Sequence, residues 1–216
     1  MSFQDIRAEV GADKILAVSK LQPIDKIRGL YNQGQRKFGE NYVQEALDKK
    51  DQLKDLTDIE WHLIGHLQKN KAKYVVGQFA LIHSVDSLEL AQTLNRQCES
   101  KKVTQRILIQ VNLAGEDSKS GFDKSALMAC WNELIELPHL TIDGFMTMPP
   151  LSETGEDVRP YFKELRELQQ HLAKTTDSAR HPLKMLSMGT SSDYKVAIQE
   201  GATLVRLGTV LFGARN

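Results

Sequence analysis

Two cysteines in 216 residues, Cys98 and Cys130, are too few for a disulfide framework, and neither belongs to a metal-type spacing. Both fall in stretches with helical periodicity, so reduced, packed thiols are expected. Net charge is missing as well: Lys plus Arg and Asp plus Glu number 28 each. That balance leaves no basic footprint for nucleic acid. No apolar run approaches the ~20 residues of a membrane span, and the opening MSFQDIRAEVGADK is too polar for a secretory leader. A cytoplasmic protein with neither membrane nor nucleic-acid partners is expected. His62 and His66 have the spacing of a zinc pair but lack the neighbouring glutamate of the metalloprotease motif and straddle a strand end, so no metal is expected. The turn VSKLQP after the first apolar run has no glycines, which argues against a dinucleotide-binding fold.

What is present is alternation. Short runs rich in Val, Ile, Leu and Phe are separated by longer amphipathic stretches. The runs lie near 14–19, 36–40, 59–65, 80–86, 106–113, 140–148, 183–189 and 203–208. Helical patterns fill the intervals from Pro23, 42–55, 69–77, 87–100, 123–137, 157–174 and 193–201. The runs are apolar on both faces, as a buried parallel sheet requires. Eight such repeats close into a (β/α)8 TIM barrel, and residues 1–216 are expected to form one domain. PPLSETGEDVRP at 149–160 reads as a mobile loop.

In such a barrel the chemistry stands where strands end and helices begin. Lys20 ends the first run, Glu40 and Asn41 the second, and His62 and His66 bracket the third. Ser84 and Asp86, Asn112, Met146 and Thr147, the stretch SMGTSSD, and Arg206, Gly208 and Thr209 complete the rim. In MGTSSD, Ser191 or Ser192 is the expected cap of the next helix, and free backbone N–H groups there suit an anion. Gly208 and Thr209 offer a second such turn, and loops after strands 7 and 8 are a recurrent phosphate seat. A phosphate seat opposite a strand-end lysine suits pyridoxal 5′-phosphate, with its aldehyde on Lys20. Arg206 would reach the pyridine nitrogen. A guanidinium stays charged, so it would donate there and keep that nitrogen unprotonated. The cofactor would then be a weak electron sink.

The segments AVSK, FGENYVQE, WHLIGHLQKNK, SVDS, SKSGF, LSMGTSSD and VRLGTVLFGAR together resemble the YggS/PROSC family, the pyridoxal phosphate homeostasis proteins, from about residue 14 onward. The resemblance implies an alanine-racemase-like barrel (PLP fold type III) without the C-terminal β-domain. It also implies buffering or delivery of vitamin B6 cofactor, without evident catalysis. Carried over, Lys20 would form the Schiff base, Asn41 would line the ring, and Met146 would pack beside it. Ser191, Gly208 and Thr209 would hold the phosphate, and Arg206 would face the pyridine nitrogen. The chain departs from the family in its short lead before the first strand, which implies a thinner cover there, and in Gln22, where a second lysine is usual. Transient contact with PLP-dependent apoenzymes and a monomeric state are expected.

Two enzymes compete with that reading. A racemase or decarboxylase would need bases beside the substrate, for which His62, His66 or Tyr42 are candidates, and a second domain that does not follow Thr209. An aldolase-type barrel would need a carboxylate near the imine, Glu40 or Asp86.

Overall fold

A computed structural model describes residues 2–115, 120–152 and 154–213. Ser118 and Lys119 of SKSGF, Glu153 of the 149–160 loop, and Ala214 and Arg215 of the last motif lie outside the described residues. The order is α1 (Phe3–Val10), β1 (Ile15–Val18), α2 (Ile24–Asn32), β2 (Lys37–Glu40), α3 (Val43–Gln52), β3 (Glu60–Leu63), α4 (Ala72–Val75) and β4 (Leu81–Val85). It continues with α5 (Leu88–Lys101), β5 (Gln105–Gln110), α6 (Lys124–Ile135), β6 (Leu140–Met146), α7 (Arg159–Ala173), β7 (Met185–Thr190), α8 (Tyr194–Gln199), β8 (Leu204–Leu207) and α9 (Thr209–Phe212). Every strand pairs in parallel with the next, and β8 returns to β1 through Ile15 with Val205 and Ala17 with Leu207. The barrel is closed, as the alternation required.

Strand residues point alternately inward and outward, and that parity decides which side chains reach the site. Along β1, Ile15 and Ala17 join the main core between strands and helices, whereas Leu16 packs inside the barrel with Ile64, Leu204 and Val18. Lys20 shares the inward parity of Leu16 and Val18. On β8, Val205 and Leu207 belong to the outer core and Leu204 to the inner one, so Arg206 points inward. Phe38 is in the outer core, and Glu40, two residues on, shares its side of the sheet.

The helices are laid down by local chemistry. Ser87 caps α5 by accepting from Leu90 N–H, and Asp123 caps α6 through Ser125 and Ala126. On α7, Phe162, Leu165, Leu168 and Leu172 form one buried stripe at three- and four-residue spacing, each contributing roughly 1.5–3 kcal/mol of burial. A helix that periodicity had not marked, α1, covers the lead into β1. Ser2 and Asp5 form a reciprocal capping box there, and Phe3, Ile6 and Val10 are buried. Its Glu9 accepts from Lys195 and from Tyr194 on α8. Among the described residues no helix is long and apolar enough to cross a membrane, and no group of His, Cys, Asp and Glu could hold a metal ion.

Candidate functional site

Lys20 stands in a tight turn directly beyond β1. Gln22 N–H donates to the Ser19 carbonyl at 3.0 Å, and Leu21 adopts φ +58°. A type II turn needs a positive φ at that position, and a leucine there stores roughly 1–2 kcal/mol. The strain is held by a buried polar network behind the turn. Lys49 donates to the Ser19 carbonyl at 2.6 Å, to Glu40 Oε1 at 2.8 Å and to Glu45 Oε1 at 2.6 Å. Ser19 Oγ donates to Glu40 Oε1 at 2.6 Å, and Leu21 N–H donates to Glu45 Oε1 at 2.6 Å. Burial pushes the Glu40 carboxyl above its usual range, against the pull of Lys49 and Ser19. Glu40 therefore braces the lysine turn from the helix side of the sheet and does not line the cleft, as an aldolase-type acid would have to.

The turn opens onto a cleft of about 400 Å³, which lies within the size range of small-molecule sites. Six of the seven expected ligand residues line it: Lys20, Asn41, Ser191, Arg206, Gly208 and Thr209. Met146 does not. It is fully buried inside the barrel with Leu81 and Leu108, and the apolar wall of the cleft is made by Ile64, Met148 and Leu151. Sequence reasoning had missed these three, whereas Thr190 and Ser192, which also line the cleft, belong to the MGTSSD stretch it had placed on the rim.

The two loops opposite Lys20 are tied together, though differently from expectation. The N-cap of α8 is Asp193, not Ser191 or Ser192, and its carboxylate accepts from Thr190 N–H and Oγ1. Ser191 Oγ instead accepts the Gly208 N–H at 3.3 Å, joining the end of β7 to the end of β8. Among the described residues, the N–H groups of Ser191, Ser192 and Thr209 have no protein acceptor. Gly189 is needed for this packing: at φ +90° a Cβ would stand 2.5 Å from that of Ala197.

Arg206 is buried beneath the cleft. It donates from one terminal nitrogen to Ser187 O at 2.6 Å and Ser187 Oγ at 3.0 Å, and from the other to Thr147 O at 2.9 Å. Among the described residues no carboxylate forms an ion pair with it, and burial lowers its pKa to about 10. Asp193 favours its charge only from a distance, and a desolvated cation with no carboxylate in contact attracts an acceptor or anion into the cleft. On the far wall, Asn41 Oδ1 is buried with no partner. The Gly65 backbone lies so close that a Cβ would come within 2.2 Å of the Asn41 carbonyl. His66 is exposed, 3.1 Å from Asp86 and 3.2 Å from Ser120, while His62 is turned into the barrel against His83. Tyr42 is exposed and lines a neighbouring hollow with His66, so none of the three candidate bases lines the lysine cleft.

The chain matches the family model of the alanine racemase N-terminal domain over residues 2–216. It is 48% identical over 203 residues to the pyridoxal phosphate homeostasis protein of Aquifex aeolicus, covering 94% of this chain and 87% of that one. The chain belongs to the pyridoxal phosphate homeostasis protein family. The Escherichia coli homeostasis protein is 40% identical over 204 residues, covering 94% and 86% of the two chains. PipY of Synechococcus elongatus PCC7942, solved with PLP bound, superposes with a TM-score of 0.90 at 39% identity, and 97% of each chain is covered. The same protein without PLP gives 0.91 at 40%. Alanine racemase from Bartonella henselae shares the fold, with a TM-score of 0.73 at 19% identity, and this homeostasis-family chain spans 57% of its length.

Proposed function

We propose that the chain binds pyridoxal 5′-phosphate in the cleft bounded by Lys20, Arg206 and the β7 and β8 loops, and serves the cell's supply of that cofactor. The carrying observation is the convergence of an amine, a buried guanidinium without a carboxylate partner, and two loops rich in N–H donors within one cleft. The residues fit the group: Ser191, Ser192 and Thr209 offer N–H and hydroxyl donors to a phosphate, and Asn41 Oδ1 offers an acceptor at the ring. When bound, the cofactor supplies an aldehyde that can hold an amine and a ring that can withdraw electrons.

Lys20 is the amine in this scheme, condensing with the aldehyde and releasing one water. Its strained turn, braced by Lys49 and Glu45, fixes where the nitrogen stands. Arg206 donates an N–H toward the pyridine nitrogen and opposes its protonation, which weakens electron withdrawal and suits storage over turnover. Neither His62 nor His66 lines the cleft, so a two-base racemase arrangement is not supported. PLP-dependent apoenzymes are the proposed recipients.

The test is spectroscopic. Wild-type protein incubated with PLP should gain the visible band of a Schiff base, and Lys20→Ala should lose it. Borohydride reduction should fix the added mass on the peptide carrying Lys20. A protein that stays colourless, or a Lys20→Ala variant that colours equally, refutes the assignment. Incubation of loaded protein with single L-amino acids should leave enantiomer composition unchanged and release no CO2.

A further inference from the structure

The cleft leaves unused three polar groups inside the barrel and a carboxylate exposed at its far end. Glu60 opens β3 at the end opposite the cleft, with His62 two residues on. His83 lies mid-way along β4, and Ser187 lies on β7 beneath Arg206. They form a file across the barrel. Glu60 Oε2 is 3.9 Å from His62 Nε2, His62 Nδ1 is 2.9 Å from His83 Nε2, and His83 Nδ1 is 3.0 Å from Ser187 Oγ. Ser187 Oγ is in turn 3.0 Å from the Arg206 guanidinium. His62, His83, Ser187 and Arg206 are all almost completely buried.

The donor and acceptor inventory gives this file one direction. Arg206 can only donate, so Ser187 Oγ accepts from it and keeps its own proton for another partner. The acceptor within reach is His83 Nδ1. A neutral His83 then carries its proton on Nε2 and gives it to His62 Nδ1. His62 in turn carries its proton on Nε2, which is buried without a hydrogen-bond partner and lies 3.9 Å from the Glu60 carboxylate, so that end of the file is oriented by charge and not by a hydrogen bond. The opposite polarity would point the buried lone pair of His62 Nε2 at an anion and leave the Ser187 hydroxyl proton without an acceptor. Burial holds both imidazoles below their usual pKa, and Arg206 pushes His83 the same way. Lys37 and Arg106 oppose protonation of His62, and Glu60 favours it.

We infer that His62, His83 and Ser187 are positioning residues for Arg206: a one-way hydrogen-bonded relay from Arg206 to His62, oriented at its far end by the charge of Glu60, that keeps Ser187 Oγ an acceptor and so aims the remaining guanidinium N–H groups into the cleft. Aligned dipoles ending on a distant carboxylate offset the buried cation, where an adjacent carboxylate would neutralise it and remove its pull on a ligand. The inference rests on the pyridoxal phosphate reading only for its second test.

The first test needs no ligand. Ring nitrogen shifts of 15N-labelled protein near neutral pH, assigned with His62→Gln and His83→Asn, should show both histidines as Nε2–H tautomers. A proton on Nδ1 of either one overturns the relay. In the second test, protein is loaded with PLP. His83→Leu should shift the pH titration of the visible band in the direction that Arg206→Gln does, and should release PLP about tenfold faster, on the order of one lost hydrogen bond to a charged group. Ser187→Ala, which removes one oxygen, should do the same and serves if His83→Leu does not fold. His83→Asn, whose Oδ1 still accepts from Ser187, should restore wild-type behaviour. Wild-type spectra and release in both His83→Leu and Ser187→Ala, with Arg206→Gln shifted, overturn the relay and leave the cofactor reading standing. A colourless wild type defeats that reading instead, and the tautomer measurement then decides the relay alone.

Discussion

Replacing Lys49 with methionine should show what holds the reactive turn. Lys49 is 6% exposed, and its ammonium meets a fully buried Glu40 at 2.8 Å. Without it, Glu40 keeps only the Ser19 hydroxyl, and its Oε2 already has no partner. Removing one member of a buried pair typically costs about 3–5 kcal/mol, a large share of a domain stability of roughly 5–15 kcal/mol. The loss should depend on pH in a defined sense. Glu40 is raised in the folded state by burial, and losing Lys49 raises it further. Between the unfolded carboxyl value of about 4.3 and that raised value, the folded protein holds a proton that the unfolded chain releases. Stability of Lys49→Met should therefore fall as pH rises through that window, by up to about 1.4 kcal/mol per pH unit, and the penalty should be smallest at its acid end. Urea unfolding followed by circular dichroism across mildly acidic to neutral pH measures this. Glu40→Gln combined with Lys49→Met should recover part of the loss, since the fully buried carboxylate is then neutral and only the half-buried Glu45 still lacks its ammonium partner. A penalty that does not vary with pH, or a double variant no better than the single one, would refute the ion-pair account. The single variant should also attach PLP more slowly, because the Ser19 carbonyl and Glu45 lose the group that braces Lys20.

Gly65→Ala should cost about 1–3 kcal/mol and weaken PLP uptake, because the new Cβ would meet backbone at Asn41, which cannot give as a flexible side chain would. Gly29→Ala, in α2 with nothing within 4 Å of the added Cβ, should instead stabilise by roughly 0.5–1 kcal/mol; thermal melts and PLP titrations of both separate the cases. His62, His83 and His181 are each held below the usual histidine range, first of all by burial. The unfolded chain then binds protons that the folded one refuses, so stability present above the unfolded pKa of about 6.5 should be lost as pH falls below it, by about 1.4 kcal/mol per pH unit for each histidine. His83→Asn should flatten that slope, and an unchanged slope would show that His83 does not stay neutral.

Particular residues show why part of the site was legible in sequence and part was not. Lys20, Arg206, Gly208 and Thr209 could be found because parallel strands bring their ends to one rim, and an apolar run that stops on a charge marks that rim directly. Met146 was misplaced for the same reason that Met148 was missed. The two share strand parity, and only the point at which β6 stops separates them: Met146 is the last strand residue and faces the barrel interior, whereas Met148 has left the sheet and lines the cleft. Glu40 looked like rim chemistry, yet it shares the outward parity of Phe38, and a single-sequence pattern does not reveal that Lys49 on the following helix will meet it. Ser191 was a sound cap by residue type, but Asp193 stands directly before α8 and takes that position, which releases Ser191 to join the two loops. The histidine file was the least legible part. His83 and Ser187 are 104 residues apart, and their contact exists only because β4 and β7 face each other across a closed barrel. Its trace in the sequence is a polar residue in mid-run on each of four largely apolar strands, His62, His83, Ser187 and Arg206. In a sheet buried on both faces, such a residue must find a partner across the lumen or leave a polar group unsatisfied.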